Sequence, residues 1–189
     1  MIIIGITGTL GSGKGTIVEY LVQQKGFVHF SVRAFIAEEI LRRGLTVNRD
    51  SLTMVGNDLR AANSPSYIAT QLYERAAQNG KNCVIESLRT PGEIDALRAM
   101  GGFWLFAVDA DIQTRYERIK KRKSETDDVT FETFAANENR EMLNHDPNKQ
   151  NIRKCVETAD YVFINDGSMN DLFREVEVAL NQIVLKQNS

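Results

Sequence analysis

The chain opens on three isoleucines and runs straight into a cluster of glycines around one lysine: "IIIGITGTLGSGKGT", Ile2 to Thr16. An apolar run without polar alternation is the pattern of a strand covered on both faces. Glycines accept positive φ and carry no Cβ, so the segment after the strand suits a tight loop that anion oxygens can approach closely. Such a loop, passing from strand to helix, turns backbone N–H groups inward, and Lys14 adds a mobile full charge. The spacing G-x-x-x-x-G-K runs from Gly8 to Lys14, but position 15 is glycine and the hydroxyl follows at Thr16. The segment therefore predicts a polyphosphate held at the start of the first helix.

The rest of the chain supplies a scaffold for that loop. With Ile2–Ile6, further apolar runs at Cys83–Ile85, Trp104–Val108 and Tyr161–Ile164 predict four strands buried on both faces, and Phe27–Phe30 is a weaker candidate for a fifth strand. Helical spacing recurs between them: Ile17, Tyr20, Leu21; Ile68, Leu72, Ala76; Ile112, Tyr116, Ile119; and Leu172, Val176, Leu180, Ile183. Ser64 followed by Pro65 predicts a capped helix start there. Strands alternating with helices give βαβ units and a five-stranded parallel sheet in an α/β, three-layer domain. With 189 residues the expectation is one domain, 1–189. Two long helical stretches, 31–79 and 111–159, interrupt the alternation. They are expected to overhang the carboxyl ends of the strands, where open α/β sheets bind ligands.

Composition narrows the function. A net charge of -2 offers no global basic field for nucleic acid or a membrane surface. No apolar run approaches the ~20 residues of a bilayer span, and Ile2–Ile6 lacks the flanks of a signal peptide. Cys83 and Cys155 have no metal-ligand spacing, and the reading is of buried thiols in a reducing, cytosolic setting. His29 and His145 have no partner pattern for a metal or a nucleophile, and Trp104 reads as core.

The variant "GTLGSGKGT" resembles the phosphate loop of adenylate kinases and related nucleoside monophosphate kinases, within the P-loop superfamily. "VIESLRTPGE" (Val84–Glu93) resembles the stretch after that family's third strand. "RYERIKKR" (Arg115–Arg122) resembles its lid-hinge helix, and "FINDGS" (Phe163–Ser168) its final strand and turn, which dephospho-CoA kinases share. The "ERIKKR" helix followed by "FETFAANENRE" is most similar to adenylate-kinase-related proteins of archaea. Two departures touch the acceptor side. Where adenylate kinases have an aspartate and an arginine after the second strand, Ala34 and Ala37 stand here, and "DGFPR" has become "ESLR".

The resemblance implies ATP and Mg²⁺ as cofactors, an acceptor-binding insertion at 31–79 and a lid at 111–159. Phosphoryl transfer asks for alignment and positive charge rather than covalent chemistry. Gly8, Gly11, Ser12, Gly13, Lys14, Gly15 and Thr16 are the candidates for the ATP phosphates, with Asp166 and Gly167 beside the base. Thr16 and Glu86 are the candidates for Mg²⁺. Arg89 suits an acceptor phosphate through its two-pronged guanidinium. Ser31, Arg33 and Arg60 are further acceptor-side candidates, as are Asn57 and Asp58, and Glu93 falls where the family reads the base. Arg115, Arg118 and Arg122 share one helix face, with Arg118, Arg122 and Arg140 expected to reach the transferred phosphate. The expected reaction is transfer from ATP to a nucleoside or deoxynucleoside monophosphate by a monomer or homodimer. Dephospho-CoA phosphorylation and a nucleotide-binding regulator with slow hydrolysis are the alternatives.

Overall fold

The computed structural model describes residues 1–122, 129–142 and 150–187, with Arg49 and Arg140 described by backbone alone. Strands β1 (Ile3–Gly8), β2 (Val28–Ser31), β3 (Cys83–Glu86), β4 (Phe103–Asp109) and β5 (Tyr161–Ile164) form one parallel sheet in the order β2-β3-β1-β4-β5. All five expected strands are present, each within two residues of its apolar run. The glycine-loop strand is central, and all six of its residues are buried. Its neighbours' registers bring Ser31 opposite Glu86, Glu86 opposite Ile6, Gly8 opposite Val108 and Asp109 opposite Ile164. The carboxyl ends of all five strands thus lie along one rim.

Successive side chains point to opposite faces, and this divides the apolar residues into two cores. Ile4, Ile6, Val84, Phe106 and Val108 pack with α1 (Lys14–Lys25) and α9 (Met169–Gln187). Ile3, Cys83, Ile85 and Leu105 pack on the other face, with α2 (Val32–Arg42), α4 (Tyr67–Asn79), α5 (Pro91–Met100) and α8 (Ile152–Glu157). Gly5 is required by that second core, since a Cβ there would lie 2.5 Å from the Phe103 ring.

Three helices fill 31–79: α2, α3 (Arg49–Ala62) and α4. Helix α4 begins at Tyr67 rather than at the expected Ser64–Pro65 cap, because Ser64 uses its carbonyl to accept from Tyr67 N in a turn before the helix. The second stretch contributes α6 (Ile112–Arg122), α7 (Phe131–Met142) and α8. The acidic residues after Lys123, and His145, lie outside the described residues. Strand β5 departs from the expected two-sided burial. It is the sheet's edge, and Val162 and Ile164 are 48% and 58% exposed on the face that α9 does not cover. Among the described residues no helix is long and apolar enough to cross a membrane.

Gly8 shows how tightly the rim is built. It has φ 134°, and a Cβ would sit 2.0 Å from Val108 O on the neighbouring strand. Backbone cannot yield as a flexible side chain can, so Gly8→Ala is expected to cost about 3 kcal/mol in urea unfolding. Gly15→Ala is the contrast. No described residue lies within 4 Å of the position its Cβ would take, and no stability loss is expected.

Candidate functional site

The loop between β1 and α1 is shaped by glycines at two further points. Gly11 (φ 80°) passes so close to α6 that a Cβ would meet Arg115 O at 2.6 Å. Gly13 (φ 101°) is the N-cap of α1, and a Cβ there would meet Asn165 Nδ2 at 2.2 Å. Ser12 is fully buried, and its N–H and hydroxyl both donate to Thr9 O. The loop is therefore wrapped closely by its neighbours on its outer side. Its inner side faces the first turn of α1, whose unpaired N–H groups make it attractive to anions.

Lys14 lies in the hollow of the loop. Its Nζ donates to Gly8 O at 2.9 Å and Thr9 O at 2.6 Å. Burial pushes its pKa down to about 7 from 10.5. Arg89 lowers it further, Glu86 and Glu141 oppose the shift, and Arg115 lowers it. Those four residues come from the end of β3, the loop after it, α6 and α7, so Lys14 marks where distant segments converge.

Glu86 ends β3 and accepts from His29 on the edge strand, at 3.0 Å. That hydrogen bond, reinforced by the charges of His29, Lys14 and Arg89, holds its pKa below the usual carboxylate value against the opposing effect of burial. Arg89 lies three residues further on and donates from Nη1 to Glu141 of α7 and to Gln150, both at 3.0 Å. Ser31 and Arg33 are placed at the end of β2 and the start of α2. Ser31 caps α2 by accepting from Ala34 N, and Arg33 is exposed. Asn57 is exposed on α3, and Asp58 pairs with Arg43 at 2.8 Å, bracing α2 against α3.

Three of the expected residues have partners that the sequence did not announce. Glu93 does not present its carboxylate to an open acceptor side. It is fully buried at the third position of α5, accepts from Arg89 N and Thr90 N, and pairs with Arg60 at 3.1 Å. With Thr90 accepting from Glu93 N, this is a capping box. Arg60, expected at a phosphate, gives Nη2 to that same carboxylate, while its buried Nε has no partner among the described residues. Arg115, expected on the same helix face as Arg118 and Arg122, is buried at 4% exposure. It donates to Ala110 O and to both carboxylate oxygens of Glu138 on α7.

Arg118 does point toward the loop region. Its Nη2 donates to Asn165 O at 2.8 Å, and its Nη1 is buried with no partner among the described residues. Arg122 is exposed at the end of α6. Arg140 belongs to α7, but its side chain lies outside the described residues. Asp166 and Gly167 are exposed just after β5, where Asp166 accepts from Asp111 N.

Residues absent from the sequence reading complete the site. Thr9 donates to Asp109 at 2.6 Å, tying the loop to the end of β4. Asn165, one residue before the expected Asp166, holds the loop at Ser12 O. Glu138 and Glu141 supply the acids that meet Arg115 and Arg89. A polar residue directly after an apolar strand run was the available signal for Asp109 and Asn165. The α7 acids carried none, since their partners are far away in sequence.

Both cysteines are buried and free. Burial raises the Cys155 thiol to about 12 and raises Cys83 as well, so neither is a ready nucleophile.

Known proteins agree with this architecture. A UPF0200 protein of Methanococcus vannielii is 27% identical over 188 residues, covering 98% of each chain. Among solved structures, a gluconokinase from Sinorhizobium meliloti matches with TM-score 0.64 at 16% identity, covering 99% of this chain and 95% of that one. The TT1252 protein from Thermus thermophilus matches with TM-score 0.63 at 23% identity, covering 96% and 97%. The fold is thus that of P-loop kinases. A family model described as an AAA domain matches residues 4–144, and the chain belongs to that AAA domain family.

Proposed function

We propose that the protein transfers the γ-phosphoryl group of ATP to the phosphate of a nucleoside or deoxynucleoside monophosphate, releasing ADP and a nucleoside diphosphate. The observation that carries this reading is the convergence on Lys14. A glycine loop, a helix N-terminus and a lysine meet there within electrostatic range of Arg89 and Glu86. The kinase fold supports phosphoryl transfer in general, and the resemblance of the G-K-G-T loop to that of nucleoside monophosphate kinases supports a nucleotide acceptor.

The residues present fit ATP. The loop hollow is lined by amides and one ammonium, no described residue crowds Gly15, and Arg118 brings a buried N–H with no acceptor among the described residues. Gly8, Gly11, Ser12, Gly13, Gly15 and Thr16 would hold the phosphates, with Arg118 and Arg122 closing from the 111–159 lid region together with Arg140. Asp166 and Gly167 would border the base. Arg89, with Ser31 and Arg33 in the 31–79 insertion, would take the acceptor phosphate. Glu86 is a fit for Mg²⁺ because it is held ionised at the rim, and Thr16 offers a hydroxyl one turn into α1. When bound, Mg²⁺ neutralises charge between neighbouring phosphates.

The test is ADP release measured over all common NMPs, dNMPs and dephospho-CoA. A marked preference for one or a few monophosphates is expected. Arg89→Ala is expected to raise the acceptor KM about ten- to a hundredfold, the worth of a charge-assisted bond, and to change the ATP KM little. Equal effects on both substrates would remove Arg89 from the acceptor site.

A second reading is a nucleotide-dependent regulator. Its support is that Arg89 is held by Glu141, a carboxylate where an acceptor phosphate would sit. ATP binding with flat, slow rates across the panel would favour it.

A further inference from the structure

Asn165 is 7% exposed and joins three elements. Its N–H donates to Asp109 O at the end of β4, at 2.8 Å. Its side-chain Nδ2 donates to Ser12 O in the glycine loop, also at 2.8 Å. Its carbonyl accepts from Arg118 Nη2 of α6, again at 2.8 Å. We propose that Asn165 is a positioning residue that sets the direction of the loop's amides and links it to the placement of Arg118. The proposal rests on the nucleotide-site reading above.

The argument follows from peptide geometry. A trans peptide is planar, and its C=O and N–H point in opposite directions. Fixing Ser12 O on Asn165 therefore turns the Gly13 N–H away from Asn165, toward the interior of the loop. Gly13 caps the helix whose first turn faces the candidate phosphates. The choice of glycine at 13 fits the same account, since a Cβ would occupy the place of Asn165 Nδ2. Without that hydrogen bond the Ser12–Gly13 peptide is free to rotate, because the φ and ψ freedom of glycine offers several alternatives. A nucleotide would then have to select one orientation, which weakens its binding. Because the same residue's backbone carbonyl holds Arg118, the loop and the α6 guanidinium keep a fixed relation to each other.

Asn165→Ala removes the side-chain bond and leaves both backbone bonds in place, so it tests the loop link alone. The dissociation constant for ADP, measured by calorimetry, is expected to rise about tenfold. The ATP KM should rise in step, with kcat at saturation within about threefold of the parent. In the free protein, amide hydrogen exchange at Gly13 to Gly15 should quicken. Asn165→Asp keeps the size but sets a carboxylate against Ser12 O, and its loss of ADP affinity should exceed that of Asn165→Ala. If Asn165→Ala does not fold, Asn165→Ser carries the same test. A lowered melting temperature with unchanged ADP affinity and unchanged loop exchange would overturn the proposal, since that is the mark of a purely structural residue. If the parent protein itself binds no ADP, the phosphotransferase reading fails, and the exchange rates alone decide the role of Asn165.

Discussion

Lys14→Met is expected to lower phosphoryl transfer on the order of 10²–10³-fold and at the same time to raise the melting temperature of the free protein at pH 7. The two effects have one cause. Burial and the guanidinium of Arg89 lower the Lys14 pKa to about 7, so the fold by itself disfavours the charge that a polyphosphate would call for. The folded-state value lies below the unfolded value of 10.5 for a group that is cationic when protonated. From about pH 10.5 down to about pH 7 the unfolded chain therefore binds the extra proton, and stability falls as pH falls. Methionine, of similar length and uncharged, removes that penalty. Its advantage over the parent should be largest near pH 7 and below, and should shrink as pH rises toward 10.5. Nucleotide phosphates reverse the balance by placing anions around the ammonium. At pH 8 the parent is expected to take up about one proton on binding ADP, seen as a dependence of binding enthalpy on buffer ionisation enthalpy. The dependence should fade near pH 6 and be missing in Lys14→Met. Uptake unchanged in the variant would assign the proton to another group.

The trade of stability for charge explains why so much of the loop was legible in the sequence. Ile2 to Thr16 is a local design: strand, loop and helix start are contiguous, and the glycines announce the conformations they permit. The sheet was legible for a related reason, because strands buried on both faces leave apolar runs that no helix of this length would need. Strand β5 shows where that reasoning stops. Its run is as apolar as the others, yet its place at the edge leaves Val162 and Ile164 uncovered, and edge position is a property of topology. The arginines divide in the same way. Arg118 and Arg115 are three apart on one helix and look alike in sequence. What separates them is α7, which brings Glu138 to Arg115, while Arg118 meets a carbonyl after β5. A charge at helical spacing specifies a face; its role depends on the element that later packs there. Thr9, Asp109 and Asn165 escaped notice because uncharged or strand-end polar residues are common, and only contact between chain ends makes them a network.

Glu93 is the residue whose reading changed most, and its substitution has the second large expected effect. The carboxylate serves two helices and a loop at once. Oε2 accepts from Arg89 N and Thr90 N, closing the cap of α5, while Oε1 pairs with Arg60 of α3. It is fully buried, and Arg60 is only 17% exposed. Removing one member of a buried pair leaves the other charged and desolvated, and losing a cap adds to that, so Glu93→Ala is expected to cost about 4 kcal/mol in urea unfolding. Glu93→Gln retains an acceptor for the two amides and should cost about half as much, the part that belongs to the ion pair. The effect on function should be one-sided. The Arg89 backbone is anchored by Glu93, and Arg89 is the guanidinium assigned to the acceptor, so the acceptor KM should rise in Glu93→Gln and ADP affinity should not. A residue that read the acceptor base would behave otherwise. Its replacement by glutamine would leave unfolding unchanged and reorder the preference among bases. Urea titration together with the nucleotide panel on this one variant separates a brace from a reader.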